Sequence, residues 1–158
     1  MTNFLGEYEC KIDAKGRVML PVALKKQVSP EAQERFVINR GIEKHLVLYP
    51  MNEWKKITEE INKLNLFVQK NRIFMRKFHN GATELDLDNT GRLLLPKGLI
   101  DYAGVDKDIV LFAYASRIEV WAKEEYDRML NADDGDFASL AEEVMGDKKK
   151  KEGQDDVS

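Results

Sequence analysis

Cysteine is almost absent from the chain. Cys10 stands alone, which excludes an intramolecular disulfide and a cysteine-based metal site. Histidine is nearly as scarce: His45 and His79 are the only two, and no His-x-x-x-His or Glu-x-x-His spacing offers a metal a pair of ligands. No Gly-x-x-x-x-Gly-Lys or Gly-x-Gly-x-x-Gly loop is present to cradle phosphates. The serines at 29, 116, 139 and 158 lie in no nucleophile-elbow context. The carboxylate pair Glu124-Glu125 reads as a solvated helix face. These absences argue against an enzyme and imply no cofactor and no metal. The longest apolar run, Ile109 to Ala115, is far too short to cross a bilayer, and MTNFLGEYECKID lacks an apolar signal core. A soluble cytoplasmic protein with no membrane partner is expected.

Charge of one sign is also lacking, since the net charge is only −3. Its distribution is uneven. Glu119 to Asp147 holds ten acids and two bases, and the other 118 residues before the lysine-rich tail carry +4. A mildly basic body hidden by an acidic block remains compatible with nucleic acid if the bases share one face.

What the chain does contain is a repeat. Ile12 to Leu24 reads IDAKGRVMLPVAL, and 75 residues later Leu87 to Leu99 reads LDNTGRLLLPKGL. Asp, Gly, Arg, Leu, Pro and Leu recur in place, and three other positions exchange one aliphatic residue for another. Gly6 and Glu9 match Gly81 and Glu84; Phe36-Val37-Ile38 matches Ile109-Val110-Leu111; Tyr49 and Trp54 match Trp121 and Tyr126. The drifting offset implies small loop deletions in a shared plan. Copy one spans residues 1–65 and copy two 80–132.

Each copy predicts the same elements. Tyr8, Cys10 and Ile12 alternate with Glu9 and Lys11, as Thr83, Leu85 and Leu87 alternate with Glu84 and Asp86, the period of a half-buried strand. Asp-x-x-Gly is a turn: Asp13 and Asp88 can accept from their own backbone, and Gly16 and Gly91 tolerate positive φ. Short strands at 18–20 and 93–95 follow, and proline then opens a short helix. Strands at 35–40, 45–49, 108–114 and 117–121 come next, with closing helices from Asn52 and Lys123. Between the copies, 66–79 forms a basic amphipathic helix, with Phe67, Asn71, Phe74 and Phe78 on one face and Lys70, Arg72, Arg76 and Lys77 outside. An acidic helix is expected within 133–147 and a disordered tail over 148–158. Two copies too small to be comfortable alone can share one core about a pseudo-two-fold axis. Short strands joined by turns favour a small mixed or antiparallel barrel capped by helices.

The repeated arginine has two readings. In the structural one, Arg17 pairs with Asp13 and Arg92 with Asp88 merely to align two strands. In the functional one, two hairpins lift Arg17 and Arg92 to the same end of the molecule, with Lys15 and Lys11 adding charge. A turn with its flanking strands can then enter a major groove, where guanidinium binds guanine or clamps a phosphate. Both hold at once if the aspartate orients the arginine.

The residues also carry a resemblance. Phe4-Leu5-Gly6-Glu7-Tyr8, Asp13-Ala14-Lys15-Gly16-Arg17 with Leu20-Pro21, Arg40-Gly41, Leu48-Tyr49-Pro50 with Glu53-Trp54, and Gly81-Ala82-Thr83-Glu84 resemble the MraZ family. Asp88-x-x-Gly91-Arg92 with Leu95-Pro96, Tyr102-Ala103-Gly104 and Arg117 to Trp121 complete the match, over about residues 4 to 145. The resemblance implies two AbrB-like (SpoVT-AbrB) halves forming a double-split, swapped-hairpin β-barrel. It implies a bacterial transcriptional regulator tied to the division and cell-wall operon, nucleoid-associated and usually a repressor. Such a protein binds double-stranded DNA at short direct repeats in its own promoter and assembles as a closed homo-oligomeric ring. By position the DNA-contacting residues are Arg17 and Arg92, with Lys15. A ring-forming interaction module on the same antitoxin-like fold is the competing reading.

Overall fold

The computed structural model describes residues 2–132 and 135–155. Copy one contributes β1 (Phe4–Lys11), β2 (Arg17–Met19), α1 (Val22–Lys25), β3 (Arg35–Arg40), β4 (Leu46–Pro50) and α2 (Met51–Ile61). Helix α3 (Gln69–His79) connects to copy two: β5 (Thr83–Asp86), β6 (Arg92–Leu94), α4 (Lys97–Ala103), β7 (Asp108–Ala115), β8 (Arg117–Ala122) and α5 (Lys123–Leu130). Helix α6 (Phe137–Asp155) ends the described chain. The contacts divide the chain into two compact units, one through Asp127 and one from Arg128.

Six strands form one antiparallel sheet in the order β1-β7-β8-β4-β3-β5, and β2 pairs with β6 in a second, two-stranded sheet. The copies are interleaved. The first strand of each pairs with the third of the other, Lys11 opposite Asp108 and Asp86 opposite Arg35. The register is itself two-fold symmetric. Leu46 faces Val120 as Leu48 faces Ile118, and Arg17 faces Leu94 as Met19 faces Arg92. A pseudo-two-fold axis therefore passes through the Val47–Glu119 and Val18–Leu93 pairs.

This architecture corrects the expected double-split barrel: no closed barrel forms among the described residues. The six-stranded sheet is open, with β1 and β5 as its edges, and the β2–β6 ribbon is a separate sheet linked to β1 by the single Ile12–Val18 bridge. Each ribbon strand is three residues long. Pro21 and Pro96 follow closely and have no N–H with which to extend a ladder.

The core lies between the sheet and the ribbon. Phe36, Ile38, Leu46, Leu48, Ile118 and Val120 meet Val18 and Leu93 there, all buried. Each fully buried side chain of this kind contributes about 1.5–3 kcal/mol through lost apolar exposure. Leu24 of α1 and Leu99 of α4, matching positions in the repeat, close the two ends of the cluster. On the sheet's other face the aromatic pairs also match: Tyr49 with Trp54 at 5.5 Å and Trp121 with Tyr126 at 6.2 Å between ring centroids. The Arg40-Gly41 and Tyr102 motifs meet each other, with the Arg40 guanidinium 4.7 Å over the Tyr102 ring and the Tyr102 hydroxyl donating to the Gly41 carbonyl at 3.1 Å.

Two further expectations change. The amphipathic pattern of the connecting helix does not bury it. Phe78 stacks on Trp54 at 5.6 Å, but Phe67 is 95% exposed and Phe74 and Ile73 are open to solvent. Helix α6 continues to Asp155, so 148–155, expected to be disordered, are helical; 133–134 and 156–158 lie outside the described residues.

Candidate nucleic-acid interface

Both Asp-x-x-Gly-Arg segments fold into the same turn. The Asp13 amide donates to the Arg17 carbonyl at 3.0 Å, and the Gly16 amide donates to the Asp13 carbonyl at 3.0 Å. Asp13 Oδ1 accepts from the amides of Lys15 and Arg17 at 3.0 and 2.9 Å, and Oδ2 accepts from Arg17 Nε at 2.7 Å. Asp88 repeats the arrangement, accepting from the amides of Thr90 and Arg92 at 2.8 and 2.9 Å. Here the third residue of the turn differs, Thr90 in place of Lys15. The Thr90 hydroxyl donates to Asp88 Oδ1 at 2.7 Å and accepts from Arg92 Nε at 2.8 Å. Gly16 and Gly91 have φ of 89° and 82°, a region that costs any other L-residue energy.

These bonds favour the charged carboxylates. The Arg17 amide is the main group holding the Asp13 carboxyl below its ordinary value. The Arg92 amide, aided by the Thr90 hydroxyl, lowers Asp88 to about 2.

Pairing of β2 with β6 brings the turns together. Successive residues of a strand point to opposite faces, so Val18 and Leu93 enter the core while Arg17, Met19, Arg92 and Leu94 share the outer face. The arginines stand diagonally, each opposite an apolar residue of the other strand. Their side chains are about 30% exposed, and Arg92 Nη1 lies 3.9 Å from Asp13 Oδ2. One carboxylate thus stands beside both guanidinium groups. Ion pairs of such exposure are worth about 0–1 kcal/mol, so either guanidinium can be redirected to an incoming anion at little cost. The ribbon presents two cations and two half-exposed apolar side chains, Met19 and Leu94, on one face.

Of the residues singled out from the sequence, Arg17 and Arg92 are brought onto one face, and Asp13, Gly16, Asp88 and Gly91 build the turns beneath them. Lys15 is exposed within the first turn, and Lys11 is exposed at the end of β1. Met19 and Leu94 were not singled out, although the two-residue period places each on the same face as its strand's arginine. The connecting helix contributes less: Arg72 donates to the Leu66 carbonyl at 2.7 Å and fastens the loop before α3. Among the described residues no group of three or more His, Cys, Asp or Glu is arranged to hold a metal ion. No helix among them is long and apolar enough to cross a membrane.

The duplicated turn has counterparts in known proteins. A family model describing the MraZ protein, antitoxin-like, matches residues 3–77 and matches again over 78–147. The chain belongs to the MraZ family. Its two matched segments divide between the copies defined by the repeat. A transcriptional regulator MraZ of Flavobacterium psychrophilum is 50% identical over 147 residues, covering 92% of this chain and 94% of the relative. The MraZ of Christiangramia forsetii is 48% identical over 147 residues, covering 92% and 95%. That of Cytophaga hutchinsonii is 40% identical over 150 residues, covering 95% and 99%.

Proposed function

We propose that this MraZ-family chain is a sequence-specific DNA-binding transcriptional regulator and that the β2–β6 ribbon is its reading head. One observation carries the proposal: Arg17 and Arg92, from separate copies, stand on the same exposed face of one ribbon. A two-stranded ribbon fits the major groove of B-DNA, where a guanidinium can bind guanine O6 and N7 together. Met19 and Leu94 suit the thymine methyl group, the apolar feature of that groove. Asp13 and Asp88 act as orienting residues that present the arginines without burying them.

The finer expectations belong to the same proposal. The target is short direct repeats in the protein's own promoter, the operon is that of division and cell-wall genes, the effect is repression, and the protein resides with the nucleoid. Exchange of first strands between copies supports kinship with swapped-hairpin AbrB-like folds. A single ribbon with two arginines binds weakly, and a ring of copies compensates, because linked sites act at high effective concentration. Exposed Phe67, Ile73 and Phe74 favour such self-association.

A gel shift on the chain's own upstream DNA tests the reading. The wild-type protein is expected to shift it, and Arg17→Ala combined with Arg92→Ala to abolish the shift with an unchanged circular dichroism spectrum. Loss of the native spectrum in the variant would return the turn to a structural role alone. Light scattering tests the ring: a monomer at micromolar concentration would remove it.

A further inference from the structure

The pseudo-two-fold axis makes the two flanks of the ribbon comparable, and they differ in kind. Beside the first turn lies an open depression of ≈ 660 Å³, lined by Lys11 and Lys15 from copy one and by Lys97 and Lys107 from copy two. All four are exposed. None of the four ammonium groups has an ion-pair or hydrogen-bond partner among the described residues. Asp101, Asp106 and Asp108 share the rim, and none of them lies within ion-pair distance of these lysines. Asp13, also on the rim, is engaged by Arg17.

The opposite flank is built from equivalent positions. The Ile12 amide donates to the Lys107 carbonyl at 3.0 Å, and the Leu87 amide donates to the Glu34 carbonyl at 3.2 Å, so Glu34 stands where Lys107 stands. The strand registers put Asp86 in the place of Lys11, and the repeat puts Thr90 and Val22 in the places of Lys15 and Lys97. The four lysines correspond to two anions and two neutral residues, while the rim acids Asp101, Asp106 and Asp108 correspond to Lys26, Gln33 and Arg35, so the flanks differ in unpaired cations and not in net charge. Of the bases there, Lys25 pairs with Glu34 at 3.4 Å and Arg35 pairs with Glu84 and with Asp86, which leaves Lys26 as the one exposed lysine to set against four.

We infer that the lysine-lined depression is a phosphate-anchoring site, that Lys97 and Lys107 extend the DNA interface beyond the ribbon, and that only one flank does so. The inference rests on the ribbon being the DNA-reading element. A duplex with its groove on the ribbon carries its sugar–phosphate backbone past the ribbon's flanks, within reach of flexible ammonium groups. Phosphate contacts of this kind fix register and orientation without reading sequence. One anchored flank and one unanchored flank make the protein bind in a single polarity despite its internal symmetry.

The test compares Lys97→Gln/Lys107→Gln with the wild type and with Lys55→Gln/Lys63→Gln, the α2 variant, which removes the same charge from α2 and the turn that follows it. Each phosphate contact steepens the fall of log K with log salt by about 0.9, so the first variant is expected to show a slope shallower by about 1.8. The change should be equal on the upstream duplex and on a scrambled one. The α2 variant should keep the wild-type slope. A binding-competent wild type whose slope survives Lys97→Gln/Lys107→Gln overturns the anchor and leaves the ribbon reading intact. An equal loss in the α2 variant also overturns it, by assigning the effect to overall charge. A wild type that binds no duplex at any salt overturns both. Titration with pyrophosphate separates a DNA anchor from a small-anion site: micromolar binding lost in the variant would contradict the anchor, and no measurable binding is expected.

Discussion

Copy one and copy two agree inside and disagree outside. Leu24 corresponds to Leu99, Val18 to Leu93, Phe36 to Ile109 and Ile38 to Leu111, and all eight are buried. Around the turns, Lys15 corresponds to Thr90, Lys11 to Asp86 and Glu34 to Lys107. A core shared across a pseudo-two-fold axis needs similar volume on both sides, because close packing transmits any mismatch to the partner copy. The surface carries no such requirement. Even on the axis the match fails on the face of the sheet away from the ribbon. Val47 is opposite Glu119, whose carboxylate accepts from Tyr114 Oη at 2.8 Å and Trp121 Nε1 at 3.0 Å and lies 3.4 Å from buried His45. The copies share a frame, and the charges around their turns differ.

The largest effects test the shared interior. Leu24→Ala and Leu99→Ala should each cost about 2–5 kcal/mol in chemical denaturation, by lost transfer energy and a residual cavity. Similar costs support equivalence, whereas a near-neutral value at one site would break it. Next come the arginines. Arg17→Ala should weaken binding to the upstream duplex by about 1–3 kcal/mol, the worth of one bidentate base contact. Arg92→Ala should cost less, because no lysine accompanies it in the second turn. Equal effects would make the two hairpins functionally equivalent.

A smaller effect separates the turns themselves. Gly91→Ala should cost about 1–2 kcal/mol for the left-handed backbone alone, since an added Cβ meets only Met19 Sδ, at 3.6 Å. Gly16→Ala should cost more. There the Cβ would lie 3.1 Å from Ile100 Cδ1 and 3.3 Å from the Leu95 carbonyl oxygen, tighter than ordinary contact. The smallest effect is in acid. Asp88 is depressed to about 2 when folded, so its contribution is complete above the ordinary carboxylate value near about 3.9. It is lost as pH falls from there toward about 2. Asp88→Asn should flatten this limb of the stability curve more than Asp13→Asn does.

Much of the frame was legible in the sequence. The repeat located both turns, and two-residue alternation located β1 and β5. Leu-Pro marked the starts of α1 and α4. Two of the resemblance motifs away from the ribbon, Arg40-Gly41 and Tyr102, form a contact between copies. Other features had no local signal. Exchange of strands between copies is a long-range pairing, and either partner would satisfy the same alternating pattern. The opening of the barrel depends on where three-residue strands stop. His45, read in the sequence only for its lack of a metal-binding partner, is buried and stacks on Trp121 at 4.3 Å, a partner far away in the chain. Phe67 and Phe74 have the spacing of a buried face, but only Phe78 finds an aromatic partner on α2. At the candidate site the arginines were legible because they recur. Lys97 and Lys107 were not, because their significance appears only beside Lys11 and Lys15 across the copy boundary.

A structure of the protein on a duplex from its own upstream region is the most direct measurement. The account predicts the β2–β6 ribbon in one major groove, with the Arg17 and Arg92 guanidinium groups both within hydrogen-bonding distance of that duplex. A duplex seated elsewhere, on α3 for example, with the ribbon facing solvent, would contradict it.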